Sequence, residues 1–179
     1  MKRYYDNGHL KGSGKANTAW IRKNKDTDGR DIHLREIKDS DIPSPTDVGL
    51  TDDDIDPIHC ADCDPKISIL QASRDTQPDE WRKSDFTNEN NHSLVIRVQF
   101  GASKFLFPGD MEDAAIDSLI DRYEGKPTLD VDVFQVSHHG AENGTTDELT
   151  NRNQRRGTTV RSLFQNRMAA SIGFNPRTG

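Results

Sequence analysis

The stretch from residue 93 to residue 107 constrains the fold of this chain more than any other. Residues 93–100 are mostly apolar and β-branched, and residues 104–107 form a second apolar run after Gly101-Ala102-Ser103. Two such runs joined by a short, glycine-containing connection predict a β-hairpin. Because both runs are almost continuously apolar, we expect strands that are covered on both faces.

A helix and a further strand are predicted directly after the hairpin. Met111, Ala115 and Leu119 lie four residues apart, which places them on one face of a helix that ends before Pro127. Residues 129–136 alternate between polar and apolar and then become more apolar, as a buried strand does. The order strand, strand, helix, strand predicts an α/β fold.

The remainder of the chain carries weaker signals. Only 36 of the 179 residues are Leu, Ile, Val or Phe, which is near the lower limit for a packed core. Residues 39–66 are acidic and contain proline, and residues 71–91 are polar, so both are predicted to be loop-rich. The length favours one domain over 1–179, with short strand candidates at 66–70 and 168–173.

Composition argues against several classes of protein. A net charge of −6 disfavours non-specific binding to nucleic acid, although a metal-dependent nuclease would supply positive charge through its ion. No run approaches 18 apolar residues and no leader peptide is apparent, so we expect a cytoplasmic protein without a membrane segment. Cys60 and Cys63 make neither a disulfide framework nor a zinc ribbon and are interpreted as loop cysteines.

Two polar motifs stand where the predicted strands end. Pro108-Gly109-Asp110 follows the hairpin, and Ser137-His138-His139-Gly140 follows the last strand. Parallel strands joined by a helix end at the same edge of a sheet, so we expect Asp110 and the two histidines to converge there. Carboxylate and imidazole groups are both common ligands of divalent metals.

Each motif also has a simpler interpretation. Asp110 precedes the predicted helix and could be its N-cap, a position that favours aspartate. His138 and His139 could be ordinary residues of a turn, and adjacent histidines rarely bind the same ion. The residue pattern leaves these alternatives open and does not decide which histidine would be the ligand.

Three segments, in this order, resemble the metallo-β-lactamase superfamily. They are Asn90-Asn91-His92-Ser93-Leu94-Val95-Ile96, Phe107-Pro108-Gly109-Asp110 and Asp132-Val133-Phe134-Gln135-Val136-Ser137-His138-His139-Gly140. The similarity is greatest to the branch that contains the hydrolase domain of ComEC-type DNA-uptake proteins, and it covers residues 88–146. The resemblance implies a four-layer αββα sandwich, of which this chain would be a part, with residues 15–37 and 66–70 as strands.

The resemblance also implies an activity and a set of site residues. Asp110 would be the catalytic carboxylate that bridges the metal ions, zinc or manganese, and either His138 or His139 would be the late histidine ligand. His92 would lie behind these ligands, unless it is a solvent-facing residue at a strand start. In a complete relative the metals would activate a water molecule that attacks a phosphodiester, as in nucleic acid.

One departure from the family pattern is large. The family's principal motif, His-x-His-x-Asp-His, is absent, and no His-x-His occurs among the six histidines. A zinc site needs about three protein ligands, so Asp110 and one histidine are too few. We therefore expect an incomplete hydrolase domain that is impaired or inactive alone, for which a complementary chain carrying the missing ligands is one candidate partner. The alternative is a non-catalytic interaction module or a degenerate fragment of the same fold.

Overall fold

The structure of the chain is a computed structural model, which describes most of the residues. The described part comprises residues 3–8, 15–27, 29, 31–61, 64–154 and 159–161. Cys63 and the predicted strand at 168–173 therefore lie outside it. In the described part, no helix combines the length and the apolar character needed to cross a bilayer.

The described part is a mixture of helices and strands, which confirms the predicted α/β class. In chain order the elements are β1 (Arg3–Asp6), α1 (Lys15–Asn24), β2 (His33–Glu36), β3 (Lys66–Gln71), α2 (Lys83–Thr87), β4 (Val95–Phe100), β5 (Ser103–Phe107), α3 (Asp113–Arg122), β6 (Val133–Gln135), α4 (Asp147–Gln154) and β7 (Thr159–Arg161).

A five-stranded sheet forms the centre of this arrangement, in the order β3-β4-β5-β6-β7. Strands β3, β4 and β5 are antiparallel, and β4 and β5 are the predicted hairpin. Strands β5, β6 and β7 are parallel, with Leu106 of β5 opposite Phe134 of β6. Strand β6 is shorter than predicted, because Pro127–Leu129 forms a 3-10 turn before it. The two-stranded parallel sheet of β1 and β2 lies outside this centre.

Helix α3 covers one face of the sheet with the apolar stripe that the sequence predicted. Its buried side chains and the following Tyr123 pack against Leu106 and Phe134. The Tyr123 hydroxyl donates a hydrogen bond to the Leu70 carbonyl oxygen at 3.1 Å, and burial raises its pKa to about 12. The indole N–H of Trp81 donates to the Ser118 hydroxyl at 2.9 Å and fastens a loop to the same helix. This core therefore fixes how β5, α3 and β6 lie relative to one another.

The opposite face of β4 and β5 is less covered than the sequence suggested. Side chains alternate along a strand, so the neighbours of buried Leu106 point to this second face. These neighbours are Phe105 and Phe107, which lie opposite Val98 and Ile96 of β4. All four side chains are only partly buried. In the described part, a smaller core around Ile69 and Ile37 covers this face at β3. In the described part, the second face of β4 and β5 is thus covered less completely than the prediction of strands covered on both faces implies.

Helices occupy two stretches for which the sequence suggested something else. Residues 15–24 form α1 rather than a strand, because they contain good helix formers and neither glycine nor proline. The predicted loop 71–91 contains α2 and leads into a 3-10 turn at Glu89–His92. The four-layer sandwich and the single incomplete domain over 1–179 stay predictions.

Truncating Phe134 tests the core that joins α3 to the sheet. Phe134 is fully buried, whereas Phe100 is 51% exposed. The same change at both positions therefore distinguishes the loss of core packing from the loss of an exposed phenyl ring. We expect Phe134→Ala to lower the free energy of unfolding by about 3–5 kcal/mol. Phe100→Ala should lower it by at most about 1 kcal/mol. Urea unfolding followed by circular dichroism measures both, and equal losses would contradict this packing.

Candidate functional site

The ends of β5 and β6 meet at one edge of the sheet, as the two motifs predicted. The His138 backbone N–H donates to the Gly109 carbonyl oxygen at 3.2 Å. The buried Ser137 hydroxyl donates to the Met111 carbonyl oxygen at 2.7 Å and lies 3.1 Å from that of Gly109. These bonds tie the chain leaving β6 to the chain leaving β5, so Asp110 and the two histidines share one short stretch of surface.

Gly109 allows the chain to turn there and to approach a third segment. Its φ of +67° is in the left-handed region, and a Cβ would lie 3.0 Å from the Ser93 Cβ. Because the chain approaches Ser93 so closely here, the backbone N–H of the next residue, Asp110, donates a hydrogen bond to the Ser93 hydroxyl at 3.1 Å. The segment before β4 thereby becomes part of the same edge.

Asp110 and His139 face each other at this edge. The distance from Asp110 Oδ1 to His139 Nε2 is 3.7 Å. The two side chains are 46% and 69% exposed, so both are open to solvent. A carboxylate and an imidazole at this separation on an open surface can attract a cation.

His138 has different neighbours although it is adjacent in sequence. Its Nδ1 lies 3.2 Å from Asn143 Oδ1 and 3.5 Å from Glu112 Oε1. Both are acceptors, so in the neutral ring Nδ1 carries the proton and Nε2 the lone pair. That Nε2 lies 3.5 Å from the Asn90 side-chain nitrogen. The two histidines therefore have different neighbours in the structure, a difference that the sequence did not predict.

Both histidines have a left-handed backbone. Their φ angles are 45° and 55°, an uncommon conformation for residues other than glycine that costs about 1–2 kcal/mol each. The turn is also crowded, because a Cβ at Gly144 would lie 2.6 Å from the His138 Cβ. Strain of this kind at non-glycine residues points to a functional reason for the side chains.

Glu112 is a site residue that the sequence analysis missed. Asn88 Nδ2 donates to its Oε2 at 2.9 Å and Asn90 Nδ2 to its Oε1 at 2.8 Å. The Glu112 backbone N–H donates in turn to Asn91 Oδ1 at 3.1 Å. The run of asparagines before Ser93 was the signal that could have identified this contact.

The interpretation of Asp110 as a helix N-cap is wrong. Helix α3 begins at Asp113 and its N-cap is Glu112, whose side chain makes no capping hydrogen bond. The reason is that the side chains of Asn88 and Asn90 donate hydrogen bonds to both oxygens of the Glu112 carboxylate. The Asp110 carboxylate is thus two residues too early in the chain to cap α3.

His92 is fully buried, so the solvent-facing interpretation of this residue is also wrong. Its Nε2 lies 2.8 Å from the Phe86 carbonyl oxygen and its Nδ1 lies 3.2 Å from the Ser73 hydroxyl. The carbonyl can only accept, so Nε2 carries the proton and Nδ1 accepts from Ser73. His92 therefore fastens the segment that leads to Ser93, and a role behind metal ligands stays a prediction.

The residues at this edge do not form a complete metal site by themselves. In the described part, no group of three or more His, Cys, Asp and Glu side chains is placed to share one ion. Asp110 and His139 provide two donors, and a zinc site takes about three protein ligands. No catalytic step through a metal follows from these residues alone.

Comparison with known proteins gives one distant similarity. Over 83 residues, 46% of this chain, the sequence is 26% identical to ComE operon protein 3 of Bacillus subtilis (strain 168). The match covers 10% of that protein, so the chain spans about a tenth of its relative's length. No family model and no solved structure matches the chain. The comparison therefore hints at a ComEC-like relation without showing an activity.

The left-handed backbone predicts an unusual response to glycine. Replacing His139 by glycine should raise the free energy of unfolding by about 1 kcal/mol, because glycine adopts a φ of 55° without strain. His33 lies in β2 and its side chain is also exposed, so it provides the matched control. His33→Gly should lower stability by about 0.5–1 kcal/mol. A loss at both positions in chemical unfolding would contradict the backbone described here.

Proposed function

We propose that this chain carries one part of a ComEC-like, metal-dependent hydrolase site of the metallo-β-lactamase superfamily. The observation that carries the proposal is the 3.7 Å approach of Asp110 and His139 at the ends of parallel strands. The order of the motifs and the similarity to ComE operon protein 3 support it. The proposed substrate class, a phosphodiester such as nucleic acid, rests on the resemblance alone.

In this proposal Asp110 and His139 are the metal donors, and the ion is zinc or manganese. His138 is the second candidate, because a carboxylate behind an imidazole, as Glu112 is behind His138, is the usual support of a ligating histidine. Two donors hold an ion weakly, so the remaining ligands come from outside the described residues. A complementary chain that carries them would complete the site.

A non-catalytic interaction module is the second candidate function. Two observations favour it: in the described residues no complete set of metal ligands forms, and the outer face of β4 and β5 is apolar and only partly covered. A sheet face of this kind fits a partner surface better than it fits solvent.

Paramagnetic titration with Mn²⁺ tests the donor assignment. We expect selective broadening of the amide signals of residues 109–112 and 137–140, because the ion is held at the Asp110 edge. Asp110→Asn and His139→Gln should abolish this broadening, and both side chains are exposed enough for the fold to survive. His33→Gln is the matched control and should change nothing. Broadening that persists in Asp110→Asn would refute the proposal.

The same experiment separates the two histidines. Loss of broadening in His138→Gln, with retention in His139→Gln, would transfer the donor role to the ring supported by Glu112.

Hydrolysis assays test whether the chain is active alone. Because two donors do not complete a site, the isolated chain with Mn²⁺ or Zn²⁺ should hydrolyse bis(4-nitrophenyl) phosphate no faster than Asp110→Asn does. Turnover at least tenfold above that variant would show that the chain supplies a full site. This outcome would exclude both the impaired domain and the non-catalytic module.

A further inference from the structure

A cleft with two arginines lies apart from the Asp110 edge. It has a volume of about 540 Å³. The residues that line it are Asp39, Ser40, Ile42, Pro43, Ser44, Arg74, Asp75, Thr76, Pro78 and Arg122. Clefts of this size are typical of small-molecule sites. Its charges therefore decide what it can bind.

Arg122 and Asp39 neutralise each other at the base of the cleft. Arg122 Nη1 donates to Asp39 Oδ1 at 2.8 Å and to the Leu70 carbonyl oxygen at 3.1 Å, and Nη2 pairs with the other carboxylate oxygen. Burial lowers the pKa of Arg122, but the hydrogen bond and charge of Asp39 outweigh it and raise the pKa. Arg122 is thus committed to Asp39.

Asp75, the other carboxylate of the cleft, also has a cation beside it. Its Oδ1 lies 3.0 Å from the ammonium group of Lys38. Asp39 and Asp75 each have a cation other than Arg74 within 3.0 Å, and among the described residues Arg74 is the cation of the lining that has no carboxylate oxygen within hydrogen-bond distance.

The guanidinium of Arg74 is held beside an aromatic ring. Its guanidinium lies 5.1 Å from the centre of the Trp81 ring, a distance at which a cation and an aromatic face attract each other. Asp39 Oδ2 lies 3.9 Å from Arg74 Nε, which is beyond hydrogen-bond distance. In the described part, the buried Nε has no hydrogen-bond partner.

We propose that this cleft binds the phosphate group of a small ligand through the guanidinium of Arg74. A guanidinium presents paired N–H donors that match two phosphate oxygens. Ser40, Ser44 and Thr76 line the same cleft, and their hydroxyl groups are further potential donors. The volume exceeds that of a phosphate ion, which leaves room for an organic group attached to the phosphate. The inference does not depend on the proposed hydrolase function.

Titration of the full chain with inorganic phosphate, followed by amide chemical shifts, tests the inference. We expect shifts of the amide signals of the cleft residues other than proline, above all Ser40, Ser44, Arg74, Asp75 and Thr76, with equal ionic strength maintained by sodium chloride. Arg74→Gln should weaken binding about tenfold or more, because it removes a charge-assisted contact. Arg82→Gln is the matched control, since the Arg82 side chain is 84% exposed and outside the cleft.

A variant with increased affinity guards against misfolding as an explanation. Asp75→Asn removes a negative charge from the cleft and releases Lys38, so phosphate should bind several-fold more tightly. Unchanged affinity in both Arg74→Gln and Asp75→Asn, or shifts confined to residues outside the cleft, would overturn the inference.

Two further titrations distinguish the sources of the phosphate group. Thymidine monophosphate that binds more tightly than inorganic phosphate would identify a nucleotide ligand, and equal affinities would identify free phosphate. Thymidine itself should not bind, and binding of thymidine with the affinity of its monophosphate would overturn recognition through phosphate.

Discussion

The parallel pairing of β5 with β6 is the constraint on which the rest of this structure depends. Helix α3 sets it by covering Leu106 and Phe134, which lie opposite each other on the two strands. The strands then end at one edge, where Ser137 fastens the two exits together. A shift of one residue in this register would turn Leu106 away from α3 and break the contacts that bring Asp110 to His139.

The sequence predicted this central unit because its signals are local. The hairpin follows from two apolar runs around a glycine, and α3 follows from apolar residues four positions apart. The meeting of Asp110 with the histidines required one more step, the rule that a helix connection makes neighbouring strands parallel. These inferences need neither long-range contacts nor knowledge of side-chain partners.

The details of the edge could not be predicted, because they depend on backbone conformation and on distant segments. Nothing in two adjacent histidines tells which one turns toward Asp110, and a left-handed backbone at both positions decides it. Glu112 was missed because its partners are asparagines more than twenty residues earlier. Helix α1 was missed because a short polar helix has hardly any apolar stripe to recognise.

The partly covered outer face of β4 and β5 has a practical consequence for work on the isolated chain. Contact between apolar surfaces weakens on cooling and strengthens in sulfate or phosphate salts. Self-association through Ile96, Val98, Phe105 and Phe107 should therefore increase with warming and with such salts. Dilute, cold solutions in chloride buffers are the conditions that keep separate copies of this chain apart.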